Sequence, residues 1–152
     1  MRNKVLLLLL LLGTIGIANA QVQHPVKWAY GKKKIGTDTY EIHLKATIQT
    51  GWHVYAQLQP DNSVSQPTTF KFKTGNDFTL IGKVKELGTL IKFEDPGSGL
   101  GANEYSNIVD FVQVIKLKNP AATVVGVTIT YQACTDHMCL SPEDVSFNIP
   151  IK

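Results

Sequence analysis

Apolar and polar residues alternate with a period of two along most of this chain, and that alternation limits the fold to packed β-sheets. Between residues 40 and 48 every second side chain is apolar, and the intervening ones are polar or charged. Residues 125–133 and 145–151 repeat the pattern, whereas residues 108–117 carry apolar side chains on both faces. A period of two is that of a β-strand, and no window of helical length shows an apolar stripe. We therefore predict an all-β sandwich.

The order of strands and turns can be predicted in part. Residues 125–133 and 145–151 are expected to form a closing hairpin, with residues 134–144 as its loop, where Pro142 prevents continued pairing. Turn-forming residues separate the other runs, at 34–38, 59–63, 74–77, 96–99 and 118–120. Residues 94–107 hold four glycine or proline residues and few apolar ones, so a mobile surface loop is expected there.

The first twenty residues have the pattern of a secretory signal peptide. Arg2 and Lys4 precede an apolar run at 5–12, and small residues at 18–20 predict cleavage after Ala20. The apolar run is about half of the roughly 20 residues that span a bilayer, so no stable membrane insertion is expected after cleavage. The mature domain, 21–152, should be periplasmic or secreted, where disulfides persist.

The charge of the chain gives no sign of a nucleic-acid partner. The formal net charge is +3, and it falls to +1 when Arg2 and Lys4 leave with the signal peptide. Residues 32–34 are three consecutive lysines and form the only cationic run. A run this short is expected to be a solvated turn, not a nucleic-acid footprint.

Cys134 and Cys139 are the only cysteines, and they lie in the predicted hairpin loop. Their spacing allows Cα atoms about 5.5 Å apart, within disulfide range. A loop this small adds only about 2 kcal/mol of stability by the chain-entropy estimate. An exposed loop also leaves a disulfide open to attack by a thiolate. From the residues alone, a structural bridge and a redox-active bridge both remain open.

A metal site is a third interpretation of the same loop. Cys134, His137, Met138 and Cys139 are soft or borderline ligands for copper or zinc. An exported dithiol oxidises readily, however, and ligands this crowded leave little room for supporting groups, so no metal is expected. His137 is better interpreted as an exposed residue that favours a neighbouring thiolate when it is protonated.

Three stretches of sequence resemble one known family. They are Thr-Tyr-Gln-Ala-Cys at 130–134, Cys-Leu-Ser-Pro at 139–142 and Gly-Trp-His-Val-Tyr at 51–55. Together they are similar to the N-terminal periplasmic domain of the thiol:disulfide interchange protein DsbD. The resemblance implies an immunoglobulin-like β-sandwich that takes electrons from a thioredoxin-like domain and reduces exported client proteins, which would make it part of a protein-disulfide reductase.

The resemblance also implies roles for individual residues. Cys134 and Cys139 would be the redox pair, with Cys139 forming the mixed disulfide and Cys134 resolving it; no bound cofactor is needed. A cap over the pair would comprise Phe93, Glu94 and Asp95. The family's aromatic residue beyond the acidic pair is missing, and Phe93, Leu100 or Tyr105 could replace it. Supporting side chains, some of which could equally be sandwich core, would be His53, where the family often has tyrosine, together with Tyr55, Tyr131 and His137.

This chain differs from the family in its architecture, and its residues also allow a second, non-catalytic function. Members of the family continue into membrane helices and a thioredoxin-like domain, whereas this sequence ends at Lys152. We therefore expect a thioredoxin-like domain or a membrane electron-transfer protein to act in trans. The alternative is a non-catalytic immunoglobulin-like binding or adaptor module with a structural disulfide and a ligand-facing Tyr105. An enzyme with its own pocket is least supported, because no nucleophile carries a recognisable local signature.

Overall fold

A computed structural model describes residues 23–73, 75, 77–119 and 123–151, so the predicted signal peptide lies outside the described residues. Parts of the predicted turns at 74–77 and 118–120 also lie outside them. Within these ranges the chain forms strands and no helix. The strands are β1 Val26–Gly36, β2 Thr39–Ile48, β3 His53–Tyr55, β4 Thr69–Phe72, β5 Phe78–Gly88, β6 Ile91–Glu94, β7 Gly101–Ser106, β8 Ile108–Leu117, β9 Val124–Tyr131, β10 Ala133–Cys134 and β11 Glu143–Pro150. No membrane-spanning helix is found in the described part of the chain.

The strands form three antiparallel sheets. One has the order β1-β2-β8-β5, the second β10-β3-β7-β6, and the third β11-β9-β4. The predicted closing hairpin is confirmed, since β9 and β11 pair from Glu143 opposite Tyr131 to Pro150 opposite Val124. All pairings are antiparallel, as expected for a sandwich built from alternating strands.

The core lies between the sheets and is filled by the alternating side chains. On β2, the five apolar residues of the predicted inner face, Tyr40 to Ile48, are all buried. They pack with Phe111 and Ile115 of β8, and with apolar residues of β9 and β11 such as Ile129 and Ile149. The all-β sandwich predicted from the period of two is therefore confirmed.

The prediction of a mobile surface loop at residues 94–107 is wrong. The segment contains the end of β6, a turn, and strand β7, which pairs with both β3 and β6. Ala102 and Tyr105 are buried in it, and the Tyr105 hydroxyl donates a hydrogen bond to Glu86 at 2.9 Å. Burial and this bond raise the pKa of Tyr105. A short strand with neighbours on both sides needs little intrinsic β-propensity, because its backbone hydrogen bonds are supplied by the partners.

Two further segments that were predicted to be turns or loops belong wholly or partly to strands. Residues 32–34, the three lysines, lie within β1 and pair with β2, and only Thr37 and Asp38 form the turn between these strands. The expected hairpin loop at 134–144 is also shorter than predicted, because Cys134 belongs to β10 and Glu143 already begins β11. The first error arises because polar residues on an outward-facing strand resemble a turn in composition. The second arises because Cys134 joins β10 through its pairing with His53 of β3, which the sequence does not display.

Candidate redox site

The site lies on the outer face of the β10-β3-β7-β6 sheet, opposite to the main core. His53 on β3 is paired with Cys134 on β10 and with Ser106 on β7, and Tyr55 is paired with Glu104. Paired residues on neighbouring strands share a face. Val54, between His53 and Tyr55, points the other way and is fully buried in the main core. Because side chains alternate along β3, His53 and Tyr55 lie on the face of the sheet that carries the cysteines.

A second small apolar cluster supports this outer face. It consists of Tyr55, Ala102 and Cys134, all buried and separate from the main core. Thr68 fixes Tyr55 from the backbone side, because its buried hydroxyl donates a 2.6 Å hydrogen bond to the Tyr55 carbonyl oxygen. The buried end of the cysteine pair is therefore held in a packed environment.

Cys134 and Cys139 form a disulfide whose Cα atoms are 4.0 Å apart. This is closer than the spacing expected from sequence, because the two residues also form an antiparallel bridge across a tight turn. The Thr135 amide donates to the Met138 carbonyl at 2.8 Å, and the Thr135 hydroxyl accepts hydrogen bonds from the amides of His137 and Met138. Threonine at this position thus closes the loop that connects the cysteines.

The two cysteines differ strongly in their exposure. Cys134 is fully buried, whereas Cys139 is exposed on the far side of the turn. A thiolate from another protein therefore reaches the disulfide from the side of Cys139. The Tyr55 hydroxyl lies 3.8 Å from the Cys139 sulfur, within range of a weak O–H···S hydrogen bond.

A histidine and a carboxylate stand beside the disulfide. His53 Nε2 is 3.3 Å from Glu104 Oε2, and both side chains are largely buried. The ring of His53 packs edge-on against that of Tyr55, with centroids 5.4 Å apart. Burial raises the pKa of Glu104; the charge of His53 opposes this shift, and repulsion from Asp136 adds to it.

Of the residues predicted to form the cap, Phe93 and Glu94 end strand β6, and Asp95 begins a hydrogen-bonded turn between β6 and β7. The Asp95 carboxylate accepts hydrogen bonds from the side chain and amide of Ser98 and from the amide of Gly97, which lower the pKa of this exposed group. Gly99 has a φ of +68°, which suits glycine. Asn62 donates a 2.7 Å bond to the Gly99 carbonyl and ties the turn to the preceding segment.

A cavity of about 280 Å³ lies between this turn, strand β3 and the cysteine loop. Its apolar lining comes from Phe93, Leu100, Ala102 and Val64, and its polar lining includes the three carboxylic acids Asp95, Glu104 and Asp136, with His53 among them. Thr135 and Asp136 follow Cys134 directly, so the cavity borders the cysteine loop.

The structure brings only some of the predicted site residues together. His53, Tyr55, Phe93 and Asp95 line the cavity, as does Leu100, a candidate for the missing aromatic. Glu94 is exposed and lies outside this lining. His137 is exposed in the cysteine turn.

Two aromatic residues named from the sequence belong to the main core instead. Tyr131 is buried against Trp28, and its hydroxyl donates a 2.9 Å hydrogen bond to Glu143. Tyr105 is 3 % exposed and is bonded to Glu86, so it is neither a cap residue nor free to face a ligand.

Glu104 and Asp136 were missed by the sequence reasoning. Glu104 lies in the segment that the sequence predicts to be a loop, and only the pairing of β7 with β3 sets it opposite Tyr55. Its position after Asn103 in a segment poor in apolar residues gave no signal of burial. Asp136 lies in the cysteine loop, but its proximity to Glu104 depends on the tertiary fold.

The metal interpretation of the loop uses both cysteine sulfurs as ligands. Both sulfurs are in the disulfide. Among the residues that the structure describes, no group of three or more histidine, cysteine, aspartate or glutamate side chains is arranged to hold a metal ion.

Fold and site together define an immunoglobulin-like β-sandwich that carries a disulfide-bonded turn on one outer face. The family model of the thiol:disulfide interchange protein DsbD, N-terminal, matches residues 21–150. The chain therefore belongs to this family. Comparison with curated protein sequences gave no match.

Two solved structures have the same fold. The Neisseria meningitidis DsbD N-terminal domain, crystallised in the reduced form, is similar with a TM-score of 0.56 at 15% identity, covering 89% of this chain and 94% of that one. The N-terminal periplasmic domain of ScsB from Proteus mirabilis gives a TM-score of 0.60 at 15% identity; the match covers 90% of this chain but 49% of that one.

Proposed function

We propose that this chain is an exported thiol:disulfide interchange domain that relays electrons through the Cys134–Cys139 pair. The observation that carries the proposal is the asymmetry of the disulfide: Cys139 is exposed at a turn, while Cys134 is buried behind it. A disulfide with one accessible sulfur can be attacked at a defined position, and its buried partner is held close enough to close the ring again. Membership of the DsbD N-terminal family supports the same assignment.

The exchange proceeds in two balanced halves. In the first, a donor thiolate attacks the Cys139 sulfur, the Cys134–Cys139 bond breaks, and Cys134 leaves as a thiolate and takes up a proton. The donor's second thiolate then attacks the donor sulfur of this mixed disulfide, so that the bond to Cys139 breaks, Cys139 leaves as a thiolate that takes up the second proton, and the donor is left as a disulfide. Two electrons and two protons have moved from the donor dithiol to this domain.

The second half passes the electrons to a client. The Cys139 thiolate attacks a client disulfide and forms a mixed disulfide, and the client's other sulfur leaves as a thiolate. Cys134, as a thiolate, then attacks the Cys139 sulfur, which releases the client as a dithiol and restores the intramolecular bridge. Cys139 is therefore the partner-facing cysteine and Cys134 the resolving one.

The proposed partners are those that membership of the family implies. The donor is a thioredoxin-like domain or a membrane electron-transfer protein that acts in trans, and the acceptors are exported disulfide proteins. The signal peptide proposed at residues 1–20 would place the domain, residues 21–152, in the periplasm or outside the cell. The side chains at the partner face would be Tyr55, His53, Phe93 at the end of β6 and Asp95 in the turn that follows, all of which line the cavity beside the cysteine loop.

The first test is the reduction potential of the mature protein. The protein is equilibrated in graded thiol–disulfide buffers, and free thiols are counted after alkylation. A potential of roughly −180 to −270 mV, the range of exchange proteins, is expected. A potential below about −300 mV is that of a structural bridge and would overturn the relay in favour of a binding module.

The second test is trapping of the mixed disulfide. Cys134→Ser leaves Cys139 without its resolving partner, so it should accumulate a mixed disulfide with a thioredoxin-like protein on a non-reducing gel. Cys139→Ser should abolish exchange and trap nothing, because Cys134 is buried. Trapping by neither variant would contradict the assignment, and trapping by Cys139→Ser alone would reverse the two roles.

A further inference from the structure

His53 lies on the same face of the sheet as the cysteine pair, and it is held in place from two sides. It is directly paired with Cys134 across the β3–β10 ladder, so the two side chains lie on the same face of the sheet. Its Nε2 is 3.3 Å from Glu104 Oε2, and its ring contacts that of Tyr55, whose hydroxyl reaches the Cys139 sulfur. His53 and Glu104 are 12% and 14% exposed, so water screens their charges only in part.

Apart from the exposed His137 of the cysteine turn, the other titratable groups described at this place are acidic. Glu104 comes from β7, Asp136 from the cysteine loop, and Asp95 from the turn between β6 and β7, and all three line the same cavity as His53 and Tyr55. Asp95 is held by the turn's own donors, whereas Asp136 and Glu104 interact with each other as like charges. Among the described residues that line the cavity, none is a lysine or an arginine.

Negative charge beside a cysteine opposes exchange. The reactive species is the thiolate, and a carboxylate close by disfavours a second negative charge. Glu104 faces Tyr55, the residue that contacts the Cys139 sulfur. A histidine next to that carboxylate can cancel its effect when the ring is protonated.

We propose that His53 and Glu104 form a charge-compensating pair that sets the reactivity of Cys139: the imidazolium offsets the neighbouring carboxylate and permits the thiolate to form. This deepens the proposed function and rests on it. His53 is a positioning residue in this scheme, since it acts through the charge it presents and through Tyr55, and it takes no part in the covalent step. The pair makes the reactivity of the site sensitive to pH.

The proposal predicts opposite effects for the two single variants. The reduced protein is alkylated with iodoacetamide, an uncharged reagent, and modification of Cys139 is timed by peptide mass spectrometry from pH 5.5 to 8.5. His53→Gln should slow alkylation by about three- to tenfold at its greatest, because the carboxylate is then uncompensated. Glu104→Gln should accelerate it by about the same factor. At the acidic end of this range the double variant should return to within about twofold of the wild-type rate, because both then carry no net charge at the pair.

The dependence on pH provides a signature that a loss of packing would not produce. The effect of His53→Gln should be largest at the acidic end, where histidine carries its charge, and should shrink as the pH rises. The effect of Glu104→Gln should instead grow with pH, because the carboxylate must be ionised to oppose the thiolate. Single variants that change the rate in the same direction, or a double variant with the sum of two losses, would overturn the proposal.

Two further variants guard against misfolding. Asp136→Asn changes an exposed side chain, so the fold should tolerate it, and it should accelerate alkylation as Glu104→Gln does. If it does not, charge is not what governs Cys139. His43→Gln is the matched control, because His43 is also bonded to a carboxylate, at 2.8 Å from Asp110, but lies on the β1-β2-β8-β5 sheet. It should leave the alkylation rate unchanged, and a change there would contradict a local effect.

This experiment separates failure of the inference from failure of the relay. Alkylation of the chemically reduced protein needs no electron donor and no client. If the reduction potential identifies a structural bridge while the two variants still show opposite effects, the relay fails and the charge-compensating pair stands. If a mixed disulfide is trapped but both single variants slow alkylation equally, the relay stands and the pair is overturned.

Discussion

The hydroxyl of Tyr55 lies 3.8 Å from the sulfur of Cys139, although the two residues are 84 positions apart in sequence. The contact arises because β10 places the cysteine turn alongside β3, and the alternation of β3 directs Tyr55 to the same face. The aromatic ring of Tyr55 is buried and packs with Ala102 and Cys134, and this packing holds the hydroxyl beside the exposed sulfur of Cys139. Such a donor stabilises a thiolate more than a thiol.

Removal of this hydroxyl tests its role directly. Tyr55→Phe keeps the buried ring, so the fold should be retained, while the Cys139 thiolate loses a hydrogen-bond donor. We expect alkylation of Cys139 in the reduced protein to slow by about two- to fivefold at neutral pH, the effect of a hydrogen bond of about 0.5–1 kcal/mol. Tyr30→Phe, a change at a half-exposed tyrosine on β1, is the control and should have no effect. Equal rates for wild type and Tyr55→Phe would exclude the hydroxyl from the chemistry.

The buried hydroxyl of Thr68 is expected to hold Tyr55 in position. Its 2.6 Å hydrogen bond satisfies the Tyr55 carbonyl oxygen, which Thr68→Val would leave without this partner in a buried place. The expected loss is about 1–3 kcal/mol in the free energy of unfolding, measured with urea and tryptophan fluorescence. Thr68→Ser keeps the hydroxyl and should lose less. Equal stability of Thr68→Val and the wild type would mean that this hydrogen bond does not stabilise the fold.

The fold was predictable from sequence to the extent that its strands have one buried face. β2 and β9 show alternation because one side of each packs into the core, and both were identified. β5 shows no such pattern: it is largely exposed, and its pairing with β8 shifts register between Ile81 and Lys85, around Gly82 with a φ of +70°. Such a strand is defined by its neighbour's hydrogen bonds, which the sequence does not display.

The candidate site was predictable only where composition marked it. Cys134 and Cys139 are the only cysteines, so they were identified at once. His53 and Tyr55 came from the family resemblance, whereas Glu104 depends on the pairing of β3 with β7, strands that are 49 residues apart at Tyr55 and Glu104. Cross-strand contacts between distant segments are set by the register of the sheet, and a single sequence does not give that register.

Reduction of the disulfide should destabilise the fold only slightly. The bridge closes a short loop, and the chain-entropy estimate gives a loss of about 2 kcal/mol in the free energy of unfolding. Urea unfolding of the oxidised protein and of the protein kept reduced measures this difference. The Cys134→Ala/Cys139→Ala variant is the control, because it has no disulfide and its free energy of unfolding should not change with reductant. Unfolding of the wild type on reduction alone would mean that the bridge is structural and unsuited to cycle.

Ionisation of Tyr131 should lower the free energy of unfolding at alkaline pH. Burial, together with the hydrogen bond it donates to Glu143, raises the pKa of Tyr131 to about 12 from the ordinary value of 10.0. A raised pKa in the folded state means that folding favours the protonated phenol. The contribution is therefore fully present below pH 10 and is lost as the pH rises from about 10 towards 12.

The variant Tyr131→Phe isolates this contribution from that of the other titrating groups. It keeps the ring against Trp28 but has no proton to lose. Free energies of unfolding are measured in urea between pH 9 and 11, and the wild type should lose stability more steeply than the variant above pH 10. Tyr30→Phe removes a half-exposed phenol and should leave the slope of the wild type unchanged. Parallel slopes for wild type and Tyr131→Phe would mean that the phenolate is tolerated in the core beside Glu143.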